Sequence, residues 1–435
     1  MSGLLDPLLR VVQSKATSGL DYVEVRADDV VQTSIELRES AIESVVRKLE
    51  RGHSARVLVS GRWGFATSDG MRDPGSTIAE ASKAARALSG GVSSDIGLSD
   101  VKPVRKDVRP RVRDPLDEVD LADKVSYLSS VCQGVVKADP RMTTTKASYM
   151  DITGERVLVT SDGAAIRTSV SHAYLMTTSS AKTSGRLVSA RDETGTVISG
   201  WEHFTDKSPK EAIVQRLAHK AKLQMDGVPC KRGTHPCVLS PRVAGMLAHE
   251  ALGHLSEADY FSSGAFDGLQ GKRVAPESVT MVDSPWIDDG FGNIEVDDEG
   301  VLPKSVTLID KGVLGEQMAN REWAKRLGIR PTGNARAENY RVPPIIRMRN
   351  TYFEKGDRSL DELLEGMKFG YYCVDVRGGQ AEANSSFQVG IQECFEVVKG
   401  ELGRPVRSLA ISGLATDSLS HIDGMGKDLG FESSY

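Results

Sequence analysis

The chain has 435 residues, of which 39% are hydrophobic and 26% are charged, and its net charge is −5. This composition is typical of a globular protein with at least two domains, not of a disordered or fibrous one. The slight acidic excess argues against a surface that neutralises a nucleic-acid backbone, so we predict no direct nucleic-acid partner. No apolar run approaches the roughly 20 residues that span a bilayer, and Asp6 interrupts the N-terminal apolar stretch. We therefore predict a cytoplasmic protein without a membrane partner.

The N-terminal segment alternates between helical and strand-like patterns. Apolar residues at helical spacing predict a first helix that ends before Ser18-Gly19. Alternating runs from Tyr22 to about Ser68 predict antiparallel strands. A second helix is expected over 76–88, stopped by Gly90-Gly91, and residues 91–113 are expected to form a surface linker.

The next segment predicts a helix, a strand meander and a further helix. Asp114-Pro115 is expected to open a helix that runs roughly to Lys137. Residues 142–199 are rich in Ser, Thr, Val and Gly and lack helical spacing, so a meander is expected there, followed by a helix over 209–225. We place a domain boundary near residue 230, which divides the chain into 1–229 and 230–435.

The C-terminal half is expected to be mainly β. Ser240-Pro241 predicts a helix start, because a serine hydroxyl can cap the first turn and proline needs no donor there. The clusters Asp288-Asp289-Gly290 and Asp297-Asp298-Glu299-Gly300 lack the register of a calcium loop and are expected to be solvated turns. Short helices are expected near Ala319 and Leu360, and strands over 306–309, 345–348, 371–376, 387–391 and 393–398. The predicted fold class is therefore α+β: an N-terminal α/β domain of antiparallel sheet with helices, and a C-terminal β-rich domain.

The pattern His249-Glu250-Ala251-Leu252-Gly253-His254 is the strongest candidate for chemistry. A catalytic zinc site needs about three protein ligands, an open position for water and a nearby carboxylate base. Two histidines that flank a glutamate meet most of these requirements. The structural alternative has His249 as a partly buried histidine with satisfied hydrogen bonds and Glu250 on the solvent side.

The spacing of the two histidines is unusual. The common zinc motif spaces them four residues apart, which leaves them only about 40° apart around a helix. Here the spacing is five residues, and on a regular helix five residues turn by about 140°. Because glycine tolerates a distorted backbone, we predict that the helix ends or bulges close to Gly253, so that His254 turns back toward His249.

The segment from His249 to Asp259 resembles the motif of the TldD/PmbA family of peptidases, in its catalytic TldD type. The resemblance covers nearly the whole chain and is strongest in the second half. Further matches follow in order: Val296-Asp-Asp-Glu-Gly300, Leu308-Ile-Asp-Lys-Gly-Val-Leu314, Thr332-Gly-Asn-Ala-Arg336, Arg347-Met-Arg-Asn-Thr-Tyr352 and Gly378-Gly-Gln380.

The resemblance implies a zinc metallopeptidase that hydrolyses unfolded or extended peptides. His249 and His254 are the implied zinc ligands, and Glu250 is the implied base that activates the zinc-bound water. The family also implies a dimer, either a homodimer or a heterodimer with a PmbA-like sister subunit. We expect the peptide to lie as an added strand along a sheet edge, with Gly378 and Gly379 as candidate binding residues because glycine permits close backbone approach.

One part of the family pattern is not found in this sequence. Family members complete the metal site with a cysteine in a Cys-Gly-Lys segment near the C-terminus, and no cysteine follows Cys394 here. The sequence is then expected to be a piece of a longer chain, to supply a substitute ligand, or to bind metal weakly. The alternative function is a non-catalytic peptide-binding or regulatory subunit of a TldD/PmbA-type complex.

Overall fold

Two large, mainly antiparallel sheets organise the chain, as seen in a computed structural model that describes residues 4–14, 19–71, 73–88, 96–261, 264–382 and 384–431. The expected α+β class is confirmed. No helix in these described ranges is long and apolar enough to cross a membrane.

The N-terminal sheet contains the longest strands of the molecule. Its strands are β1 (Tyr22–Arg38), β2 (Ala41–Val59), β3 (Arg62–Asp69), β4 (Arg105–Val108), β5 (Met142–Thr160), β6 (Ala165–Thr183) and β7 (Arg186–Thr196). Their order is β3-β2-β1-β5-β6-β4, and β7 pairs with β6. The predicted strands of residues 22–68 and the predicted meander of residues 142–199 are therefore confirmed, and they join in one sheet.

Helices cover one face of this sheet. They are α1 (Leu5–Val12), α2 (Pro74–Ala87), α3 (Leu121–Ala138) and α4 (Lys210–Asp226). Val23 and Val25 of β1 belong to the core that α1 and α2 complete, whereas Ile35 and Leu37 belong to the core under α3. Alternate residues of β1 point to this one face, and they contribute to two separate cores along it. The burial of each aliphatic side chain stabilises the fold by about 1.5–3 kcal/mol.

Two predictions for this half were wrong. The expected linker of residues 91–113 contains β4, which pairs in parallel with β6; residues 89–95, including Gly90-Gly91, lie outside the described ranges. The helix expected at Asp114 begins only at Leu121. The reason is that the Asp114 backbone bonds to a distant turn: it donates to the Glu202 carboxylate at 3.0 Å and accepts from Trp201 at 2.7 Å.

The C-terminal half is built from a six-stranded sheet and smaller sheets. The large sheet has the order β8-β18-β17-β16-β9 with β19 beside β17; a second sheet has the order β12-β11-β10-β15, and β13 pairs with β14. The strands are β8 (Val228–Pro229), β9 (Cys237–Leu239), β10 (Met281–Ser284), β11 (Val306–Asp310), β12 (Val313–Leu314), β13 (Ala335–Arg336), β14 (Ile345–Ile346), β15 (Asn350–Phe353), β16 (Phe369–Ala381), β17 (Ser386–Val398), β18 (Glu401–Arg407) and β19 (Leu409–Leu414). The helices are α5 (Pro241–Leu247), α6 (Ala258–Phe261), α7 (Arg321–Leu327), α8 (Leu360–Leu364) and α9 (Ala415–Ser420).

The two strands expected over 387–391 and 393–398 form one continuous strand, β17. Gln392, which separates the two apolar runs, is fully buried instead of lying in a turn. Its side chain accepts from the backbone N–H of Arg191 at 3.0 Å and donates to the Arg191 carbonyl at 2.9 Å. This long-range pair of hydrogen bonds, which links the two halves, explains why a polar residue stands inside the strand.

The acidic cluster at residues 297–300 is also not a solvated turn. Asp297 and Glu299 are buried, and Glu299 accepts from Arg56 of β2 at 3.0 Å. Asp298 forms an ion pair with Arg26 of β1 at 3.2 Å. The C-terminal half therefore binds the N-terminal sheet on the face opposite the helices. Arg56 and Arg26 pair there with Glu299 and Asp298, because an unpaired buried charge is costly.

His203 predicts a pH dependence of stability. Burial, followed by the charge of Lys207, lowers the pKa of His203 to about 4, and its Nε2 lies 2.7 Å from Thr194 Oγ1. Because the pKa in the folded state is below the ordinary value of 6.5, the folded protein favours the neutral form of His203. The stability that depends on this neutral form is fully present above pH 6.5 and is lost as the pH falls toward 4. We expect His203→Gln to flatten the fall in unfolding free energy between pH 7 and 4.5 by at most about 3 kcal/mol. Urea denaturation at a series of pH values measures this free energy. If it falls equally with pH in the wild type and the variant, the assignment to His203 is wrong.

Candidate metal centre and peptide cleft

The helix that carries the motif begins as the sequence predicts. Ser240 Oγ accepts the N–H of Val243 at 3.3 Å, and Pro241 occupies the first turn. The same hydroxyl donates to the carbonyl of Val374 on β16 at 2.6 Å. The cap therefore fixes the start of α5 against the strand that lies beside the candidate site.

The helix changes its winding between the two histidines. After α5, residues Ala248–Gly253 form a wider π-helical turn, and His254–Ser256 form a tighter 3-10 turn. The ring centres of His249 and His254 lie 5.1 Å apart as a result. The predicted distortion near Gly253 is confirmed, and it brings together two side chains that a regular helix would hold apart.

Gly253 leaves space for a close approach between this turn and β14–β15. Its φ of −61° is ordinary, so backbone freedom is not the requirement. A Cβ at this position would lie 1.9 Å from the Sδ atom of Met348, which is buried. Glycine is therefore needed because Met348 occupies the volume that a side chain would fill.

Glu257 connects His254 to a cleft residue. It is fully buried, and its two oxygens lie 3.4 Å from His254 Nδ1 and 3.3 Å from Arg347 Nη1. Glu257 Oε1 makes no hydrogen bond within the described ranges, so its approach to His254 is an ion-pair contact and not an established hydrogen bond. A carboxylate this close to Nδ1 can orient the imidazole and leave Nε2 for a ligand. Sequence reasoning gave no role to Glu257, although its position three residues after His254 was a usable signal.

The electrostatic surroundings keep His249 neutral. The side chain is exposed, but the surface that it exposes faces the cleft. Desolvation by the surrounding protein, followed by the charges of His254, Arg336 and Arg347, lowers the pKa of His249 below 6.5. A neutral imidazole has a free nitrogen lone pair, which is the form that binds a metal.

Glu250 lies at the edge of β16. A Cβ on Gly379 would be 3.0 Å from Glu250 Cγ, so this carboxylate side chain packs against the glycine backbone. Both residues, together with Gly378 and His249, line a cleft of about 3080 Å³. Four of the five predicted site residues thus line the cleft, and the ring of the fifth, His254, lies next to that of His249.

The edge of β16 beside Glu250 is open. β9 pairs only with residues 371–373 of β16. Beyond that point, no strand in the described part of the chain pairs with the outer side of residues 376–381. An extended peptide could therefore add to the sheet at Gly378 and Gly379, directly next to Glu250.

The donors at this site fit a zinc ion in part. Two imidazoles bound at 2.0–2.1 Å to one tetrahedral ion have ring centres about 5 Å apart, and the two histidines show this separation. In the described ranges, however, no group of three or more His, Cys, Asp or Glu side chains is placed to hold a metal. His249 and His254 can supply two nitrogen ligands, and their roles remain predictions.

Family models match most of the chain. The model described as the PmbA/TldA metallopeptidase C-terminal domain matches residues 232–435, the central-domain model matches 114–225, and the domain 1 model matches 23–89. Two matched segments thus lie before the predicted boundary near residue 230.

Proteins of known sequence and structure match over nearly the full length. A metalloprotease of Methanothermobacter thermautotrophicus is 31% identical over 94% of this chain and 88% of its own. A protein of Saccharolobus solfataricus named zinc metalloprotease TldD homolog is 29% identical over 98% of this chain and 94% of its own. The crystal structure of TldE from Thermococcus kodakarensis has a TM-score of 0.75 at 19% identity and covers 98% of this chain and 94% of that chain, which shows the shared fold. By these family and sequence matches, the chain belongs to the PmbA/TldD family of metallopeptidases.

Proposed function

We propose that the chain is a zinc-dependent peptidase that hydrolyses unfolded or extended peptides. One observation carries the proposal: Glu250, beside two converging histidines, contacts the backbone of Gly379 at a strand edge that no strand of the described ranges covers. The proposed base, the two proposed metal ligands and the proposed peptide-binding edge are therefore neighbours. Two relatives of this chain are named metalloproteases, which supports the same activity.

In this proposal each side chain has one task. His249 and His254 hold the zinc ion, and Glu257 orients His254 from behind. When bound, zinc supplies a Lewis acid that polarises a carbonyl and lowers the pKa of water toward neutrality. Glu250 takes the proton of the attacking water as the new C–O bond forms, and it delivers that proton to the amine as the C–N bond breaks.

The substrate backbone pairs with β16 in this proposal. Main-chain hydrogen bonds to residues 376–381 hold the peptide without reading its side chains. Gly378 and Gly379 permit the backbone to approach Glu250 closely. A folded protein cannot present a free strand there, so the preferred substrates are unfolded or extended chains.

A second candidate function is a non-catalytic peptide-binding or regulatory subunit. It is favoured by one observation: in the described ranges no third His, Cys, Asp or Glu side chain joins the two proposed ligands, whereas a catalytic zinc site needs roughly three. The same open edge would then present peptides to an active partner.

The partners belong to the same proposal. The chain works as a homodimer, or as a heterodimer with a PmbA-like sister subunit, on peptide substrates in the cytoplasm. Direct nucleic-acid binding is not proposed, because the net charge of −5 offers no excess of cations.

Hydrolysis by the purified chain alone tests the proposal. We expect zinc-loaded protein to cleave casein, chelation to abolish cleavage, and added zinc to restore it. If cleavage appears only when a sister subunit is added, the Glu250→Gln variant separates the two functions: loss of cleavage supports catalysis by this chain within a heterodimer, and unchanged cleavage supports the regulatory function. Circular dichroism before and after chelation would separate loss of chemistry from loss of fold.

A further inference from the structure

Arg191 of β7 extends from the N-terminal half to the open edge of β16. Its backbone is fixed against β17, because the Gln392 side chain bonds to both its N–H and its carbonyl. A Cβ on Gly378 would lie 4.0 Å from Arg191 Nη1. The Arg191 side chain is 27% exposed, and it lines the same cleft as His249 and Glu250. An arginine of the N-terminal half is therefore placed to contact a peptide that adds to this edge.

Arg191 and Glu250 lie on opposite faces of the β16 edge. Gly378 and Gly379 pair in register with successive residues of β17, and successive residues of a strand point to opposite faces. The Cβ position of Gly379 meets Glu250, whereas that of Gly378 meets Arg191. A peptide that adds to this edge would point its side chains alternately to the two faces. If one substrate residue faces Glu250, its neighbours therefore face Arg191.

The guanidinium group of Arg191 uses few of its hydrogen-bond donors. Within the described part of the chain its one hydrogen bond runs from Nη2 to Glu193 Oε2, at 3.3 Å. Its Nε is buried and has no hydrogen-bond partner there. A guanidinium carries five N–H donors in a planar fork that matches the geometry of a carboxylate. Arg191 therefore has the capacity to bind a second carboxylate.

The ion pairs around Arg191 contain more cations than carboxylates. Glu193 also pairs with Arg242 at 2.9 Å, so one carboxylate serves two arginines. The ion pairs that continue from Glu193 join four cations, Arg191, Arg242, Lys220 and Arg216, to three carboxylates, Glu193, Asp375 and Asp192. Arg377 adds a further cation, because burial and then the charge of Arg191 lower its pKa. This excess of positive charge favours an anionic group of the substrate.

We propose that Arg191 binds a carboxylate of the peptide substrate close to the scissile bond. This role rests on the proposed peptidase function and adds a preference to it, because main-chain pairing alone does not distinguish side chains. The carboxylate belongs either to an Asp or Glu side chain or to the C-terminus of the peptide, and both accept charge-assisted hydrogen bonds from a guanidinium. A lysine at the same position is disfavoured, because it would place two cations together.

Peptide binding to the zinc-free full chain tests this role without requiring hydrolysis. Fluorescence anisotropy measures the affinity for extended peptides rich in serine, threonine and glycine, which carry one Glu, Gln or Lys at successive positions and an amidated C-terminus. The same Gln peptides with a free C-terminus test the terminal carboxylate. We expect Glu at one position, or the free C-terminus, to strengthen binding at least about tenfold over the amidated Gln peptide, and Lys to bind most weakly.

Variants of Arg191 assign the preference to this side chain. Arg191→Gln should remove the difference between the peptides, and Arg191→Lys should keep part of it, because the charge stays and the planar fork is lost. Arg186→Gln is the matched control: it lies at the other end of β7, does not line the cleft, and should keep the wild-type preference. In zinc-loaded protein, Arg191→Gln should raise KM for the carboxylate peptide more than it lowers kcat. Melting curves identify any variant that fails to fold.

The outcomes separate this role from the peptidase activity. Equal affinity for all the peptides, no binding of any peptide, or a preference that survives Arg191→Gln and so belongs to another cation of the cleft would each overturn the role of Arg191. Carboxylate-dependent binding that Arg191→Gln abolishes, in a chain that hydrolyses no peptide, would support the role of Arg191 and contradict the peptidase. Hydrolysis without any carboxylate preference would do the reverse.

Discussion

Glu250→Gln is expected to lower kcat for an extended peptide by about 10²- to 10⁴-fold, the usual contribution of a positioned acid–base group. Glutamine keeps the size of the side chain and its packing against Gly379, but it cannot accept a proton. Zinc affinity should stay near the wild-type value, because Glu250 is not among the proposed ligands. The measurement is steady-state kinetics on wild-type and variant protein with equal zinc content.

Glu250→Asp is the matched comparison for this experiment. It keeps the carboxylate and withdraws it by one methylene from the edge of β16, so an intermediate kcat is expected. If Glu250→Gln cleaves the peptide at the wild-type rate, Glu250 has no role in proton transfer. Loss of zinc together with activity would instead make Glu250 part of the metal site.

Gly253→Ala is expected to weaken zinc binding by at least about tenfold and to destabilise the fold by about 1–3 kcal/mol. The added methyl would lie 1.9 Å from Met348 Sδ and 3.1 Å from the carbonyl of Ala248, so the turn that carries His254 must shift. Zinc titration and urea unfolding measure the two effects separately.

A second substitution tests whether the contact with Met348 is the cause. Met348→Ala opens a cavity and destabilises the protein by itself, but Gly253→Ala should then cost less than it does in the wild type. Gly245→Ala is the matched control, because a Cβ at Gly245 meets nothing within 4 Å and alanine favours the helix. Equal costs in both Met348 backgrounds would remove this contact from the explanation.

Local signals in the sequence predicted the elements of the site. Ser240 was recognisable as a helix cap, and the five-residue spacing of His249 and His254 required a distorted helix. Both inferences depend on geometry within a few residues, where helix periodicity and capping decide the conformation. Neither inference required contacts between residues that are far apart in the sequence.

The inferences that failed involve partners that are far apart in the sequence. Glu299 was expected to be solvated, but it pairs with Arg56, which lies 243 residues away. Gln392 was taken as a break between strands, although the backbone of Arg191 satisfies its side chain. A buried polar residue and an exposed one have the same local pattern, so only the tertiary contact distinguishes them.

Stepwise zinc titration of the metal-free chain tests the central claim most directly. Bound zinc and the rate of peptide hydrolysis should rise together and reach a plateau at about one zinc ion per chain, as expected for a single catalytic site. The variant with both His249→Ala and His254→Ala should show neither rise while keeping the wild-type circular dichroism spectrum. Hydrolysis that is independent of zinc, or zinc binding that survives the loss of both histidines, would contradict the assignment of this motif as a catalytic metal centre.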